Sequence, residues 1–238
     1  MNFITAPIWL LKASLPWQYI QTVTRGGLFL CGVALDLQPK TIGMHELVIA
    51  SNNAGKIKEI RQMIDSIKLL SLADVGFTAE IEEPYQTFEE NARVKAETIH
   101  QFSGKNVFAD DSGICLNALD GAPGVNSAYF AGLPRDDERN LQKVLEVLKN
   151  KEDRAAYYKA LICLVWDGEV HYFEGICNGR ILEQKMGNEG FGYDPIFVPN
   201  GYDKTFGELQ PEVKNELSHR GKAVRKMVEF LKTKTGVL

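Results

Sequence analysis

The 238-residue chain has four cysteines and four histidines, and neither kind is grouped. Cys31, Cys115, Cys163 and Cys177 form no CxxC pair, and His45, His100, His171 and His219 form no HxxxH cluster. Those absences exclude the usual structural-zinc spacings and a disulfide framework, and they suit a reducing compartment, the cytoplasm. No apolar run is long enough to span a bilayer: the candidate, GGLFLCGVALDL, is short and interrupted by Gly32 and Asp36. A cationic excess is missing too. With a formal charge of -4, the chain is not built to cover many phosphates with Lys and Arg, so neither a nucleic acid nor a membrane is an expected partner. Internal repeats and low-complexity tracts are lacking as well. What is present, 45% hydrophobic and 24% charged residues, is an ordinary globular composition with enough apolar material for a sizeable core.

Residues 1–43 differ from the rest. They carry Lys12, Arg25 and Lys40 against Asp36 alone, without the ordered regions of a signal peptide or the Arg/Ser richness of a transit peptide. Met44 is followed at once by the β-rich HELVIAS. The expected division is an N-terminal extension of uncertain status over 1–43 and one compact domain over 44–238.

Within that domain, ELVIAS reads as a strand running into a helix with Ile57, Ile60, Ile64 and Ile67 at helical spacing. KLLSLAD reads as a second strand, followed by an acidic loop. Thr87 and Glu90 form a capping box ahead of a helix whose buried stripe is Phe88, Ala92, Ala96 and Ile99; Asn91 and Lys95 share another face. NVFAD is expected to be a strand ending at Asp110, with Gly/Pro loops after it. A helix with Leu141, Val144, Leu145 and Leu148 on its apolar face follows Pro134. Two long strands then turn at Asp167-Gly168, and Ser218 caps a terminal helix. The pattern predicts an α/β fold: a mixed twisted sheet with a long β-hairpin and helices on both sides.

Four polar clusters sit at the ends of apolar elements, where sheet-based sites form. Ser51-Asn52-Asn53-Ala54-Gly55-Lys56 offers backbone N–H groups and an ammonium to an anion, although it lacks the P-loop pattern. Glu82 and Glu83, and then Asp110 and Asp111, supply hard oxygen donors of the kind Mg²⁺ takes when it also bridges phosphates. Adjacent aspartates repel, so a positive group should compensate them. Phe191-Gly192-Tyr193-Asp194, with Lys214, His219 and Arg220, could stack and hydrogen-bond a purine; Phe191 and Tyr193 fit a core equally well, and His219 a capping role.

Taken in order, SNNAGK, EEPYQTFEENA, FADDSG, GAPGVNSAYFAG, GFGYDPIF and SHRGKA resemble the inosine triphosphate pyrophosphatase family over about residues 46–232. The resemblance implies a homodimeric, Mg²⁺-dependent enzyme, with one or more ions per subunit and an active-site cleft between two lobes. Its reaction would convert the purine nucleoside triphosphates ITP, dITP and XTP to the monophosphate and pyrophosphate, clearing deaminated purines from the nucleotide pool. Carried onto matching positions, Ser51 to Lys56 would hold the phosphates, with Lys56 the main cation and Lys95 a further phosphate contact. Glu83 and Asp111 would bind Mg²⁺. Asp111 would also accept the proton, though the residues leave Asp110 open for that role, and Ser112 would contact substrate. Phe191 to Asp194, Lys214, His219 and Arg220 would line the base pocket. One departure stands out: the family usually reads Ser-Ala-Arg where this chain has Ser127-Ala128-Tyr129, and Arg135 or Arg139 is a candidate replacement for the missing guanidinium. The competing readings are a Maf-like pyrophosphatase acting on pyrimidine or modified nucleotides, and a nucleotide-binding module without turnover.

Overall fold

A computed structural model describes residues 45–64 and 67–236. The extension over 1–43 and the expected domain start at Met44 lie outside the described residues.

Six strands form one mixed sheet in the order β2-β1-β3-β4-β5-β6. The first three, β1 (Glu46–Ile49), β2 (Lys68–Leu70) and β3 (Val107–Leu116), run parallel. The remaining pairings, through β4 (Ala155–Trp166), β5 (Glu169–Ile181) and β6 (Phe197–Pro199), are antiparallel. The predicted β4–β5 hairpin turns at Asp167 (φ 50°) and Gly168 (φ 84°), the paired left-handed conformations that match the twist of the flanking strands.

Helices cover both faces, as the alternation of apolar residues requires. Leu47 and Ile49 of β1 and Phe108 of β3 face α1 (Ala54–Arg61) and α5 (His219–Thr235), meeting Ile60, Val224 and Met227. Val48, Val107 and Ala109 point the other way, to Ala92, Ala96 and Ile99 of α2 (Phe88–Ser103). A third cluster lies farther along β3 and β4, where Ile114, Leu116 and Tyr158 pack with Phe197, Phe206 and the apolar face of α3 (Asp137–Val147). The sheet thus carries two lobes of core, and β3 passes from one to the other.

Two expectations need correction, and one element is new. β3 does not end at Asp110: β4 pairs with it from Val107 to Leu116, so the aspartates lie in mid-strand. The helix after β1 closes at Arg61, and Ile64 and Ile67 join the same core from beyond its end. A short helix, α4 (Pro211–Leu217), precedes the terminal one; Pro211 opens it, where the missing N–H costs nothing.

Candidate active site

β1 pairs with β3 only through Val48↔Val107 and Ile49↔Phe108. From Ala109 onward one edge of β3 has no strand beside it, and its polar groups need other partners. The Asp110 carbonyl accepts from Lys95 Nζ (3.1 Å) and Lys56 Nζ (3.3 Å). Farther along, Ser127 Oγ accepts the Ile114 N–H at 2.9 Å. A Cβ on Gly113 would lie 2.2 Å from the Gly124 carbonyl, so only glycine lets the Gly124–Tyr129 3₁₀ turn come this close.

The two-residue period of a strand resolves the problem of the adjacent aspartates. Asp110 points to the α1/α5 face, where Lys56 Nζ is 3.0 Å and Arg220 Nε 3.2 Å from its Oδ2. Asp111 points to the α2 face, toward Lys95 Nζ at 3.3 Å. Each carboxylate therefore has its own cation. Burial opposes ionisation of Asp110, but Lys56 and Arg220 outweigh it and hold its carboxyl well below the usual range. Burial dominates at Asp111, whose Oδ2 is buried without a partner, and its carboxyl is pushed up to about 6.

The turn from β1 into α1 is organised by its own side chains. Asn53 caps the helix by accepting from the Lys56 N–H at 3.1 Å, and Ser51 Oγ accepts the Asn53 N–H at 3.2 Å. One turn into α1 sits Glu59, a buried carboxylate that the sequence reading passed over. Its Oε1 is 2.5 Å from Lys214 Nζ, and its Oε2 accepts from Arg220 Nη1. Lys214 also pairs with Asp194 Oδ2 at 2.6 Å, and Arg220 Nη2 donates to Ser112 Oγ at 2.8 Å. Burial works against charge at Glu59, yet Arg220 and Lys214 overcome it and lower its pKa. At Asp194 burial wins and raises it.

Above these cations lies the Phe191 ring, with Lys214 Nζ 5.2 Å and Arg220 Cζ 5.6 Å from its centroid. Tyr193 is buried, and its hydroxyl donates to the Ser127 carbonyl at 2.6 Å; it ties the glycine-rich loop to the 3₁₀ turn. The His219 ring stacks on Tyr158 at 4.5 Å and 5° between planes. Burial, with Arg220 beside it, drives the His219 pKa well down, so the ring is neutral and its Nδ1 is buried without a partner.

A cleft of about 800 Å³ collects every expected site residue except Ala54 and Gly55. Gly55 instead packs behind Phe191. Tyr129 and Arg135 stand on the cleft wall, Arg135 Nη2 3.2 Å from Asp137. Arg139 does not line the cleft; its Nη2 donates to the Ala131 carbonyl at 3.1 Å. Glu59 lies behind the lining, and the available clue was its i, i+3 spacing from Lys56 on one helix face.

Among the described residues no three of His, Cys, Asp and Glu converge on one point. Glu83 and Asp111 do flank a common position, because Lys95 Nζ contacts both, Glu83 Oε2 at 2.7 Å. The unpartnered Asp111 Oδ2 and a second carboxylate beside it fit a hard cation that draws its other oxygens from phosphate and water.

A mixed sheet with two core lobes and a charge-dense cleft on the open edge of its third strand defines an α/β protein with its candidate site at the sheet, where such folds bind ligands. The Ham1 family model matches residues 47–230, and the chain belongs to the Ham1 family. A dITP/XTP pyrophosphatase of Christiangramia forsetii is 46% identical over 187 residues, which is 78% of this chain and 98% of that protein. A Bacillus subtilis protein of the same name is 44% identical over 193 residues, covering 79% and 98% of the two chains. The solved structure of the Staphylococcus aureus Ham1 protein superposes with a TM-score of 0.73 at 39% identity, over 79% of this chain and 99% of that one. A HAM1 protein from Coxiella burnetii gives 0.74 at 36% identity, over 80% and 100%.

Proposed function

We propose that this protein hydrolyses ITP, dITP and XTP to the nucleoside monophosphate and pyrophosphate, removing deaminated purines from the nucleotide pool. The observation that carries the reading is the placement of Asp111 on the cleft floor, with a buried unpartnered oxygen and Lys95 beside it, next to Lys56 at the α1 N-terminus. The relatives at 44–46% identity are named dITP/XTP pyrophosphatases, which supports two of these three substrates.

In this reading Ser51 to Lys56 receive the triphosphate, with helix-terminal N–H groups and the Lys56 ammonium facing anionic oxygens. Asp111, which lines the cleft and has a buried oxygen without a partner, takes the proton from the attacking water. Asp110 also keeps one buried oxygen, Oδ1, without a partner, but Lys56 and Arg220 on its Oδ2 hold it ionised and make it the poorer acceptor. Lys56 and Lys95 offset the charge that grows on the departing pyrophosphate. Mg²⁺, held by Glu83 and Asp111, would supply charge neutralisation on the phosphate oxygens. Phe191 to Asp194, Lys214, His219 and Arg220 enclose the base, and selectivity would come from a donor turned from its carboxylate partner to a 6-oxo group; a 6-amino purine offers no acceptor there, at a cost of about 1–3 kcal/mol for a buried group left unpaired. We further propose that the enzyme is a cytoplasmic homodimer whose activity resides in residues 44–238.

The test is product analysis with Mg²⁺ and, separately, ITP, XTP, dITP, ATP, GTP and dTTP, with pyrophosphate and orthophosphate assayed independently. Pyrophosphate from the first three, abolished by Asp111→Asn and by chelation of the metal, is the expected outcome. A preference for dTTP would favour a Maf-like enzyme, and binding without product a module lacking turnover.

A further inference from the structure

Glu83 reaches the cleft on a loop with little to hold it. Residues 78–86 are exposed apart from half-buried Ile81. Among the described residues, the hydrogen bonds of this loop to the rest of the fold come from two α2 side chains one turn apart, Asn91 and Lys95. Lys95 grips the carboxylate tip of Glu83 at 2.7 Å. Asn91, only 2% exposed, grips the backbone: its Oδ1 accepts the Tyr85 N–H and its Nδ2 donates to the Tyr85 carbonyl, both at 3.0 Å. That pair of bonds also fixes which way the amide points.

The two grips respond differently to a cation. An ion taken up by Glu83 and Asp111 would replace Lys95 as the partner of both carboxylates, so the Lys95 bond weakens when the site fills. The Asn91 clamp is uncharged and independent of that exchange. It leaves Glu83 two residues of backbone, one of them the stiff Pro84, from a fixed point. We infer that Asn91 is a positioning residue that sets Glu83 for a divalent cation, an inference that rests on the reading of Glu83 as a metal ligand. Without the clamp, the entropy of ordering the loop falls on the binding step. Partners behind metal ligands typically change affinity by about tenfold or more when removed. Tyr85 is exposed, so water can satisfy its freed backbone groups and Asn91→Ala should loosen the loop rather than unfold the protein.

The experiment titrates the full chain with Mn²⁺, reading free ion by electron paramagnetic resonance, in the presence of an ITP analogue with a methylene between the α and β phosphorus atoms. Hydrogen exchange of 78–88 is followed in parallel. In Asn91→Ala the Mn²⁺ dissociation constant should rise about tenfold, exchange in the loop should accelerate, and the thermal transition should stay cooperative. Asn91→Ser, which can keep one of the two bonds, should fall between, and it carries the comparison if the alanine variant does not fold. Glu83→Gln separates the two layers of the argument. Loss of Mn²⁺ affinity in Glu83→Gln with both Asn91 variants within about twofold of the parent, well under the tenfold mark, overturns the clamp and leaves the metal reading standing. Unchanged affinity in Glu83→Gln overturns the metal reading, and the clamp inference with it.

Discussion

Glu59 is not itself part of the cleft lining, yet its two oxygens bridge two residues that are, Lys214 and Arg220. Both cations have a second carboxylate, Asp194 and Asp110, so losing Glu59 misplaces them more than it strands them. Glu59→Ala should therefore cost less, by urea denaturation, than the about 3–5 kcal/mol of a buried ion pair whose remaining charge is left uncompensated. Glu59→Gln keeps the shape and one acceptor; it should cost less stability and raise the KM for ITP more than it lowers kcat. An unchanged KM would show that the base-side cations do not depend on this bridge. At the rim, Arg135 and Arg139 part company. Arg135 lines the cleft, whereas Arg139 is committed to the Ala131 carbonyl. If a guanidinium replaces the one that Tyr129 displaces, Arg135→Ala should raise KM while Arg139→Ala does not. A solvent-exposed charge is worth about 1 kcal/mol at most, or roughly fivefold in KM. Equal kinetics in both variants would sink that compensation.

Between elements, the contact of α1 with the glycine-rich loop links the two ends of the expected nucleotide. A Cβ on Gly55 would lie 2.7 Å from Phe191 Cδ1 and 2.9 Å from its Cγ, too near the root of the ring for a rotamer change alone to relieve. In a helix, Gly to Ala normally stabilises by about 1 kcal/mol. Here that gain should vanish, because Phe191 must leave its place over Lys214 and Arg220. Gly55→Ala is expected to leave the melting temperature flat or lower and to raise the KM for ITP; a higher melting temperature with unchanged KM would mean the ring yields freely. Elements of this kind were only partly legible in the sequence. The β-hairpin, the Thr87 and Ser218 caps and the apolar stripes of α2 and α3 could be read because local chemistry decides them. The length of β3 could not: two aspartates in a row resemble a strand end until cations on opposite faces are known. Glu59 was equally hidden, since a glutamate on a helix is solvated by default and only tertiary partners bury it. Tyr193 carried two readings, stacking or core, and its bond to the Ser127 carbonyl shows a ring anchored in the second lobe.

At the scale of the molecule, the sheet buries an alternating row of charges between its two lobes, and the carboxylates in that row do not titrate alike. The folded-state pKa of Glu59 is lowered by Arg220 and Lys214 against the pull of burial. Its ionised form therefore contributes stability that is fully present above the unfolded value of about 4.3 and is lost as pH falls through the folded one. Asp194 has the opposite sign. Burial raises its pKa, so acidification relieves a buried charge there and offsets part of the loss at Glu59. The one oxygen of Asp194 that meets Lys214 also accepts the Phe191 N–H, at 2.7 Å, and an asparagine oxygen can do both. Asp194→Asn thus removes the acid-relieved charge while keeping the loop contact, and it leaves Lys214 wholly to Glu59, whose carboxyl is then held lower still. Both changes act in the same direction. Between about pH 5 and pH 3, the window around the unfolded carboxylate values, the melting temperature of Asp194→Asn should fall more steeply than that of the parent. A slope equal to or shallower than the parent's would mean that the folded-state pKa of Asp194 does not lie above its unfolded value, or that Glu59 does not share Lys214 with it.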